Sequence, residues 1–342
     1  MDEEAAFALS SYDYHLPPEL IAQTPADPRD SARLLVLDRA ADKSYHHHVS
    51  DLPSFLQQGD LVVANRSRVV PCRLHGFKES GGAVEILVLR PNGDGWWVAL
   101  TRGHRLRVGQ HVVIADEVRA EIGEAIEGTR LIRFPDVEDV AGMLDRYGEV
   151  PLPPYIHAYA GDADRYQTVY ADVAGSAAAP TAGLHFTPDL IGKLQSIGVE
   201  WATVTLHIGL DTFRPMTDED IRNHHIHTEW IEVPDDTVDA VARTKARGGR
   251  VFAVGTTSVR ALEHASQDGA LRPYQGPADL FITPGYCFRT VDAMLTNFHL
   301  PRSSLLLLVS AFAGRERVLD AYAEAVRQQY RFFSFGDAML LL

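Results

Sequence analysis

Two segments of this 342-residue chain place a histidine close to a glycine, a combination that suits acid–base chemistry on a small substrate. GSAAAPTAGLHFT (175–187) contains His185, and TLHIGLDTFRP (205–215) contains His207 followed by Arg214. A neutral imidazole can accept or donate a proton near neutral pH. The alternative is structural: His185 would also fit as a buried histidine among small residues, and a single histidine at a strand end, such as His207, often has no catalytic role.

Three alternating residues in NHHIHTEW (223–230) match the spacing of metal ligands. On a strand, His225, His227 and Glu229 would lie on one face. Imidazole and carboxylate groups of this kind bind zinc or iron. The alternative is an exposed strand edge with solvated histidines, and the spacing alone does not decide between the two.

The segment AVGTTSVRALE (253–263) passes from an apolar strand into a helix through small and hydroxyl residues, namely Gly255, Thr256, Thr257 and Ser258. The first N–H groups of a helix have no partner within it, so they can bind a carboxylate or phosphate. Arg260 would add a bidentate partner for the same anion. The alternative is a well-capped helix, since Ser and Thr favour that position in any case.

A further polar cluster precedes the apolar stretch of LTNFHLPRSSLLLLVSAF (295–312). Asn297, His299 and Arg302 come just before a helix that Ser303 or Ser304 would cap. This arrangement suits the polar wall of a pocket, although helix capping alone would also explain it.

The elements that must position these residues alternate between strands and helices after residue 151. Thr187-Pro188-Asp189 predicts the start of a helix that ends near Gly198. Strands are predicted at 201–210, 250–255 and 278–285, and helices at 236–247, from 256 onward, and in the two C-terminal segments. Together with the buried-strand run LVVAN (61–65), this alternation predicts a mixed sheet covered on both faces.

Residues 68–134 follow a different pattern. Six short β-rich runs are separated by Gly, Asn or Asp turns, which is typical of a small antiparallel barrel. The predicted fold class is therefore an α/β main domain with a mixed sheet, interrupted by an inserted all-β, barrel-like domain. The predicted boundaries are 1–66 and 151–342 for the α/β domain and 67–150 for the insertion.

Composition excludes several classes of protein. The chain has 32 Lys+Arg against 46 Asp+Glu, a formal net charge of −14, which argues against a uniformly basic nucleic-acid coat. Cys72 and Cys287 show neither metal-binding spacing nor a disulfide framework. The N-terminus lacks a secretory signal, and the longest apolar run, at 305–314, is too short to cross a membrane. We therefore expect a cytoplasmic protein without a membrane partner.

Segments spread over nearly the whole chain resemble, in order, one family: the S-adenosylmethionine:tRNA ribosyltransferase-isomerases of queuosine biosynthesis. Two of the matching segments are highly specific, GSAAAPTAGLHFT and TNFHLPRSSLLLLVSAFAG. The others include YDYHLPPELIAQTPADPRDSARLL, GDLVVANRSRVVPCRL, YGEVPLPPYI, DRYQTVYA, HIGLDTFRP, GRVFAVGTTSVRALE and YRFFSFGDAMLL. The departures are mild: Arg66-Ser67-Arg68 stands where the family tends to show Asn-x-Thr-Arg, and Ser304 where Thr is commoner.

The resemblance implies that S-adenosylmethionine is consumed as a ribosyl donor and not as a methyl donor. Its ribosyl part would be transferred to 7-aminomethyl-7-deazaguanine at the wobble position of a tRNA and isomerised, giving epoxyqueuosine and releasing adenine and methionine. The implied partners are tRNA and S-adenosylmethionine, with no metal and no cofactor. We expect a monomer.

The reaction needs a base, a hydrogen-bond donor for the leaving adenine and groups that bind the substrate. His185 and His207 are candidates for the base that removes the weakly acidic proton beside the sulfonium. His299 or a threonine would donate a hydrogen bond to the departing adenine. Glu229 would pair with an amino group, with the ammonium of the target base or with the sulfonium.

The helix start at 255–258 together with Arg260 would bind the methionine carboxylate. The other candidates for substrate binding come from the matching segments and are Tyr166, Gln167, Ser176, Thr181, Gly183, Arg214 and Asn297.

Cationic residues gather in one part of the chain despite its acidic total. Residues 66–107 contain eight Lys/Arg and three acids, a net +5. A phosphate backbone is attracted to a local cationic face, although an ordinary mixed surface would show the same count. The predicted tRNA contacts are Arg66, Arg68, Arg73, Arg102, Arg105 and Arg107.

Two other functions stay open at this point. One is a metal-dependent hydrolase that uses His225, His227 and Glu229. The other is a non-catalytic RNA-binding protein, which would need a basic surface but no pocket.

Overall fold

The computed structural model describes residues 6–115, 118–126, 128–157, 159–209, 216, 218–224, 226 and 228–342. The chain forms two compact units. The first, called the α/β unit below, contains Met1–Arg68, Pro153–Ala174 and Ala179–Leu342. The second, the barrel unit, contains Val69–Leu152 and Gly175–Ala178.

The strands and helices have the following bounds. In chain order the strands are β1 (Arg33–Asp38), β2 (Lys43–His48), β3 (Leu61–Asn65), β4 (Ser67–Val69), β5 (Arg73–Lys78), β6 (Ala83–Pro91), β7 (Trp96–Arg102), β8 (His111–Ala115), β9 (Val118–Ile126), β10 (Thr129–Arg133), β11 (Val173–Ser176), β12 (Glu200–His207), β13 (Glu229–Val233), β14 (Val251–Val254), β15 (Tyr274–Ala278), β16 (Ala293–Asn297) and β17 (Ala338–Leu341). The helices are α1 (Val140–Tyr147), α2 (Pro188–Ser196), α3 (Asp235–Ala246), α4 (Gly255–His264), α5 (Ser304–Ala313) and α6 (Arg315–Arg327). A short 3-10 helix at Thr181–His185 precedes α2.

The α/β unit is built on a nine-stranded sheet in the order β15-β13-β12-β3-β14-β16-β17-β1-β2. β12, β3, β14 and β16 run parallel to one another. Antiparallel pairs add β13 and β15 on one side; on the other, β17 is antiparallel to β16 and parallel to β1, and β2 is antiparallel to β1. The prediction of a mixed sheet is therefore confirmed. The parallel strands β3 and β14 are buried along their whole length, which explains their nearly continuous apolar sequences.

The core follows the alternation of side chains along each strand. Val62 and Ala64 of β3 belong to one buried cluster with Leu190 and Leu194 of α2. α3 and α4 also contact β3 and β14, but Leu262 and the other buried side chains of these helices lie outside that cluster. Helices therefore cover both faces of the sheet, as predicted.

Local signals explain where two helices begin. The Thr187 hydroxyl accepts the backbone N–H of Leu190 at 3.1 Å, directly before the proline that opens α2. The Ser303 hydroxyl accepts the backbone N–H of Leu306 at 3.3 Å and caps α5 in the same way. Both helix starts were predicted from the sequence.

The predicted strand at 278–285 is wrong. The strand lies earlier, at Tyr274–Ala278, and contains the pair Gly276-Pro277. Glycine and proline usually indicate a turn, but β15 is at the edge of the sheet, where a proline removes no hydrogen bond that the sheet needs.

The barrel unit contains a closed antiparallel barrel in the order β10-β7-β6-β5-β8-β9. The six strands correspond to the six predicted β-rich runs. Gly123 of β9 allows a close approach, because a Cβ atom there would lie 2.6 Å from the Trp96 ring. The predicted fold class, an α/β unit interrupted by an all-β barrel, is confirmed.

Candidate active site

A cavity of about 90 Å³ lies in the α/β unit where β14 and β16 end. Ligands of α/β sheets bind at this carboxyl end of the strands. Six residues predicted from the sequence line the cavity: Thr181, Gly255, Thr256, Thr257, Asn297 and His299. The described lining residues include no Asp, Glu, Lys or Arg, so this part of the cavity wall offers neutral hydrogen-bonding groups between apolar side chains.

His299 lies in the wall of this cavity, just after β16. Its Nε2 is 2.8 Å from the Thr296 hydroxyl, and its backbone carbonyl accepts a hydrogen bond from the Tyr14 hydroxyl. Among the described residues none bonds Nδ1. Burial lowers the pKa of His299 to about 3, so the ring is neutral at physiological pH.

His185 lies behind the cavity and is absent from its lining. It ends the 3-10 helix Thr181–His185, and its Nε2 is 3.1 Å from the amide nitrogen of Asn297. Burial lowers the pKa of His185 to about 4, although nearby Asp337 acts in the opposite direction. This histidine is also neutral at physiological pH.

His207 ends β12 and stacks on Trp230 of β13, with ring centroids 5.3 Å apart. Its Nδ1 is buried without a partner among the described residues. Burial lowers the pKa of His207, and the Glu232 carboxylate partly offsets this effect. His207 itself is not part of the cavity lining, but the next residue, Ile208, is.

Glu229 and Arg260 form a buried ion pair outside the cavity lining. Arg260 also donates from Nε to the carbonyl of Leu280 at 3.3 Å, and Glu229 accepts the backbone N–H of Gly209 at 3.4 Å. The two buried charges therefore compensate each other, while the Nη2 of Arg260 has no partner among the described residues. The structure thus brings Arg260 to Glu229 and not to the cavity side of α4.

The start of α4 forms one wall of the cavity. Gly255 has φ of +82°, a left-handed conformation that favours glycine at this sharp turn from strand to helix. The Thr257 hydroxyl is buried without a partner among the described residues. The Ser258 hydroxyl instead donates to the carbonyl of Val254 at 2.7 Å and is used within the helix.

Comparisons with known proteins identify the family. A family model described as queuosine biosynthesis protein matches residues 9–341. The chain belongs to this family.

Named relatives in the family extend over almost the whole chain. A protein of Synechococcus elongatus named S-adenosylmethionine:tRNA ribosyltransferase-isomerase is 50% identical over 98% of this chain and 96% of its own length. A protein of Carboxydothermus hydrogenoformans with the same name is 50% identical over 98% of this chain and 99% of its own length. The crystal structure of S-adenosylmethionine tRNA ribosyltransferase from Thermotoga maritima is 40% identical, covers 97% of this chain and 100% of that one, and has a TM-score of 0.58. The resemblance stated from the sequence is confirmed.

Four other predicted substrate-binding residues of this family member lie outside the cavity lining. Tyr166 is fully buried and packs against Phe335, with ring centroids 5.9 Å apart. The backbone carbonyl of Gln167 accepts from Arg29 at 2.8 Å. The other two are Gly183, where a Cβ atom would lie 2.1 Å from the Tyr170 hydroxyl, and Ser176 of the barrel unit, whose hydroxyl donates to the Ala178 carbonyl at 2.7 Å.

Several lining residues were missed by the sequence analysis, among them Tyr155, Thr296, Phe333 and Ser334. Tyr155 and Ser334 bond through their hydroxyl oxygens at 2.6 Å, and burial raises the pKa of Tyr155 to about 12. The segments YGEVPLPPYI and YRFFSFGDAMLL that contain these two residues carried the family resemblance. That resemblance was the only signal that could have indicated them.

The predicted tRNA contacts fall in both units. In the α/β unit, Arg66 lies 3.9 Å from Asp172 and 3.7 Å from Glu232, while Arg68 is exposed. In the barrel unit, Arg73 donates to the carbonyl of Leu152 at 3.1 Å. The others in that unit are exposed at the end of β7 and in the segment before β8: Arg102, Arg105 and Arg107.

Arg214, His225 and His227 lie outside the described residues. Within the described part of the chain, no group of three or more His, Cys, Asp or Glu side chains could hold a metal ion. Likewise, none of the described helices combines the length and the apolar character that a membrane span requires.

Proposed function

We propose that this protein transfers and isomerises the ribosyl part of S-adenosylmethionine onto 7-aminomethyl-7-deazaguanine at the wobble position of tRNA. The product is epoxyqueuosine, and adenine and methionine are released. The protein acts in the cytoplasm, as a monomer, and consumes S-adenosylmethionine without a cofactor. The observation that carries the proposal is the identity of about 50% with enzymes of this name over nearly their full length.

The cavity supports the proposal because its neutral polar groups suit the departure of adenine. A histidine whose pKa is about 3 holds a proton too weakly to remove one from carbon. As a neutral ring it can still donate a hydrogen bond, which stabilises negative charge as it develops on a leaving group. We therefore assign His299 as the donor to adenine, with the Thr296 hydroxyl donating to its other nitrogen.

We base two further assignments, the catalytic base and the site for the methionine carboxylate, on the same geometry. His207 is our candidate for the base, because it precedes the lining residue Ile208 and its Nδ1 lacks a described partner. The first backbone N–H groups of α4, at Gly255–Thr257, are our candidates for binding the methionine carboxylate. We leave Arg260 out of this assignment, because it pairs with Glu229 and is absent from the described cavity lining.

The exposed arginines of the barrel unit support a tRNA contact. We propose that Arg102, Arg105 and Arg107 bind phosphates. Replacing any one of them by alanine is expected to weaken tRNA binding and to reduce the slope of log K against log salt by about 1. Filter binding over a salt series measures this slope, and an unchanged slope for all three variants would contradict the assignment.

The proposal is tested by incubating the protein with S-adenosylmethionine and tRNA that carries 7-aminomethyl-7-deazaguanine. Chromatography is expected to show adenine release, and mass spectrometry the mass gain of the modified nucleoside. The same tRNA without the modified base serves as the control. Folded protein that gives neither product would overturn the proposal, and binding of the tRNA without turnover would instead favour the non-catalytic RNA-binding function.

A matched pair of variants tests the role of His299. His299→Gln keeps a polar group near Thr296 but removes the imidazole, and we expect kcat to fall by about 10²-fold or more. His264→Gln replaces a histidine in the last turn of α4, outside the cavity lining, and should keep wild-type kcat. An equal effect of both substitutions would refute the assignment.

A further inference from the structure

The amide of Asn297 has a fixed orientation. Its Nδ2 lies 3.1 Å from the carbonyl oxygen of Phe333 and 3.5 Å from that of Asp337. A carbonyl oxygen only accepts hydrogen bonds, so the amide nitrogen, and not the amide oxygen, must face these groups. Asn297 is 3% exposed, and its Oδ1 has no donor among the described residues.

The same amide determines how His185 is protonated. Because Nδ2 donates, the Nε2 of His185 must accept, and in a neutral ring the proton then lies on Nδ1. The backbone of Arg29 favours the protonated ring, which agrees with a donating Nδ1. His185 is buried behind Asn297 and outside the cavity lining. Its accepting nitrogen is therefore already used and does not face a substrate.

The Asn297 oxygen has no donor among the described residues, and a ligand that enters the cavity can supply one, which is favourable because a buried acceptor left without a donor is costly. Asn297 lines a cavity whose described lining contains no Asp, Glu, Lys or Arg, so a charged ammonium would be poorly solvated against these residues. The ribose must reach the tRNA base, which leaves the exocyclic amine of adenine as the neutral donor of the substrate. The cavity is too small to enclose S-adenosylmethionine, but its apolar walls suit the edge of an aromatic ring.

We propose that Asn297 Oδ1 accepts a hydrogen bond from the exocyclic amine of adenine, and that His185 is a positioning residue that holds the Asn297 amide for this contact. The inference rests on the proposed function. It removes His185 from the candidates for the base and gives Asn297 a role in substrate specificity.

The first experiment compares two ligands that the enzyme cannot turn over. S-adenosylhomocysteine carries the amine, and S-inosylhomocysteine carries a carbonyl oxygen at the same position. Calorimetry with the wild-type protein should show about 10- to 100-fold tighter binding of the adenosyl compound, because the carbonyl would face Oδ1 with no proton between them. Asn297→Ala should bind both compounds about equally.

The outcomes separate this inference from the proposed function. Equal affinity of the wild-type protein for the two compounds would overturn the role of Asn297 and leave the reaction itself untouched. Failure to bind S-adenosylhomocysteine at all, in a protein that also releases no adenine, would instead contradict the proposed function.

The second experiment separates positioning from base catalysis with two variants of His185. The side-chain oxygen of glutamine can reach the place of Nε2 and accept from Asn297, whereas leucine cannot. His185→Gln is expected to keep kcat within about threefold and to keep the preference for the adenosyl compound. His185→Leu should raise KM for S-adenosylmethionine about tenfold and leave the shape of the pH–rate profile unchanged.

Circular dichroism and thermal unfolding establish that each variant is folded before it is assayed. If His185→Leu does not fold, His185→Gln still decides the question, because glutamine cannot act as a base near neutral pH. A folded His185→Gln protein whose kcat is lost would show that the imidazole itself is needed, and would overturn the positioning role.

Discussion

Acid should destabilise the α/β unit through its buried histidines, and His299 offers the sharpest test. In the folded protein burial lowers its pKa from an ordinary 6.5 to about 3. Between these two values the unfolded chain binds a proton that the folded chain does not. The stability that the neutral ring contributes is thus fully present above pH 6.5 and is lost as the pH falls towards 3.

The size of the effect follows from the difference in proton affinity. Each tenfold difference in proton affinity between the folded and unfolded states is worth about 1.4 kcal/mol. When the pH falls from 7 to 5, His299 should therefore lower the free energy of unfolding by about 2 kcal/mol. His185, with a pKa of about 4 in the folded protein, should contribute about 2 kcal/mol over the same range. Their sum, about 4 kcal/mol, is a large part of the free energy of unfolding of a typical folded protein, which is about 5–15 kcal/mol.

Urea unfolding at pH 7 and pH 5 measures this loss. Of the four tryptophans, Trp96 and Trp97 belong to the barrel unit, and Trp201 and Trp230 to the α/β unit. Replacing the first two by phenylalanine leaves a fluorescence signal that reports on the α/β unit alone. In this background His299→Gln should lose about 2 kcal/mol less than the parent between the two pH values.

His15→Gln, at an exposed position of the same unit, is the matched control for the loss of one histidine. If His299→Gln and its parent lose the same stability between pH 7 and pH 5, then His299 titrates equally in the folded and unfolded states. That result would refute the neutral, buried ring on which the assignment of the hydrogen-bond donor rests.

Three further predictions concern the groups that hold the site in place, and urea midpoints at pH 7 measure all of them. Arg260→Leu leaves the Glu229 carboxylate buried without its cation and should cost about 3–5 kcal/mol, most of which the double substitution with Glu229→Leu should recover. Glu263→Gln should cost about 2 kcal/mol, because the buried Glu263 carboxylate accepts backbone N–H groups, one of them from Thr290 at 3.0 Å before β16. Thr187→Ala removes the cap of α2 and should cost about 1 kcal/mol, whereas Thr187→Ser should keep most of it. A midpoint unchanged from wild type would contradict the corresponding assignment in each case.

The sequence predicted those elements whose signals are local. The capping residue Thr187 predicted the start of α2, and the six β-rich runs predicted the strands of the barrel. β16 and β17 were not predicted as strands, because a run of three or four apolar residues in a central strand has no periodicity that distinguishes it from a helix segment. The sequence predicted β15 at the wrong position, because Gly276-Pro277 has the composition of a turn. The pair is compatible with a strand here because β15 lies at the edge of the sheet.

Six residues that line the cavity were named from the sequence, but the sequence did not distinguish their separate positions and contacts. His185 and His299 look alike in the sequence, each next to apolar residues in a specific segment. The fold separates them, since His299 lines the cavity while His185 stands behind Asn297. Arg260 follows the start of α4 by a few residues, yet its partner is Glu229 on a different strand. Such distinctions depend on side-chain direction and long-range pairing, which spacing along the chain does not reveal.

Among the described residues, none that lines the cavity carries a formal charge. The sulfonium of S-adenosylmethionine is positively charged, and methionine leaves as a neutral thioether. Among the described residues, Glu229 is the carboxylate that was predicted to meet the sulfonium, but it is neutralised by Arg260 and is absent from the cavity lining. In the proposed binding mode the cavity holds the adenine, because it is too small to enclose S-adenosylmethionine. Uncharged groups such as Asn297 therefore contact the neutral part of the substrate and leave the charge of the sulfonium unchanged.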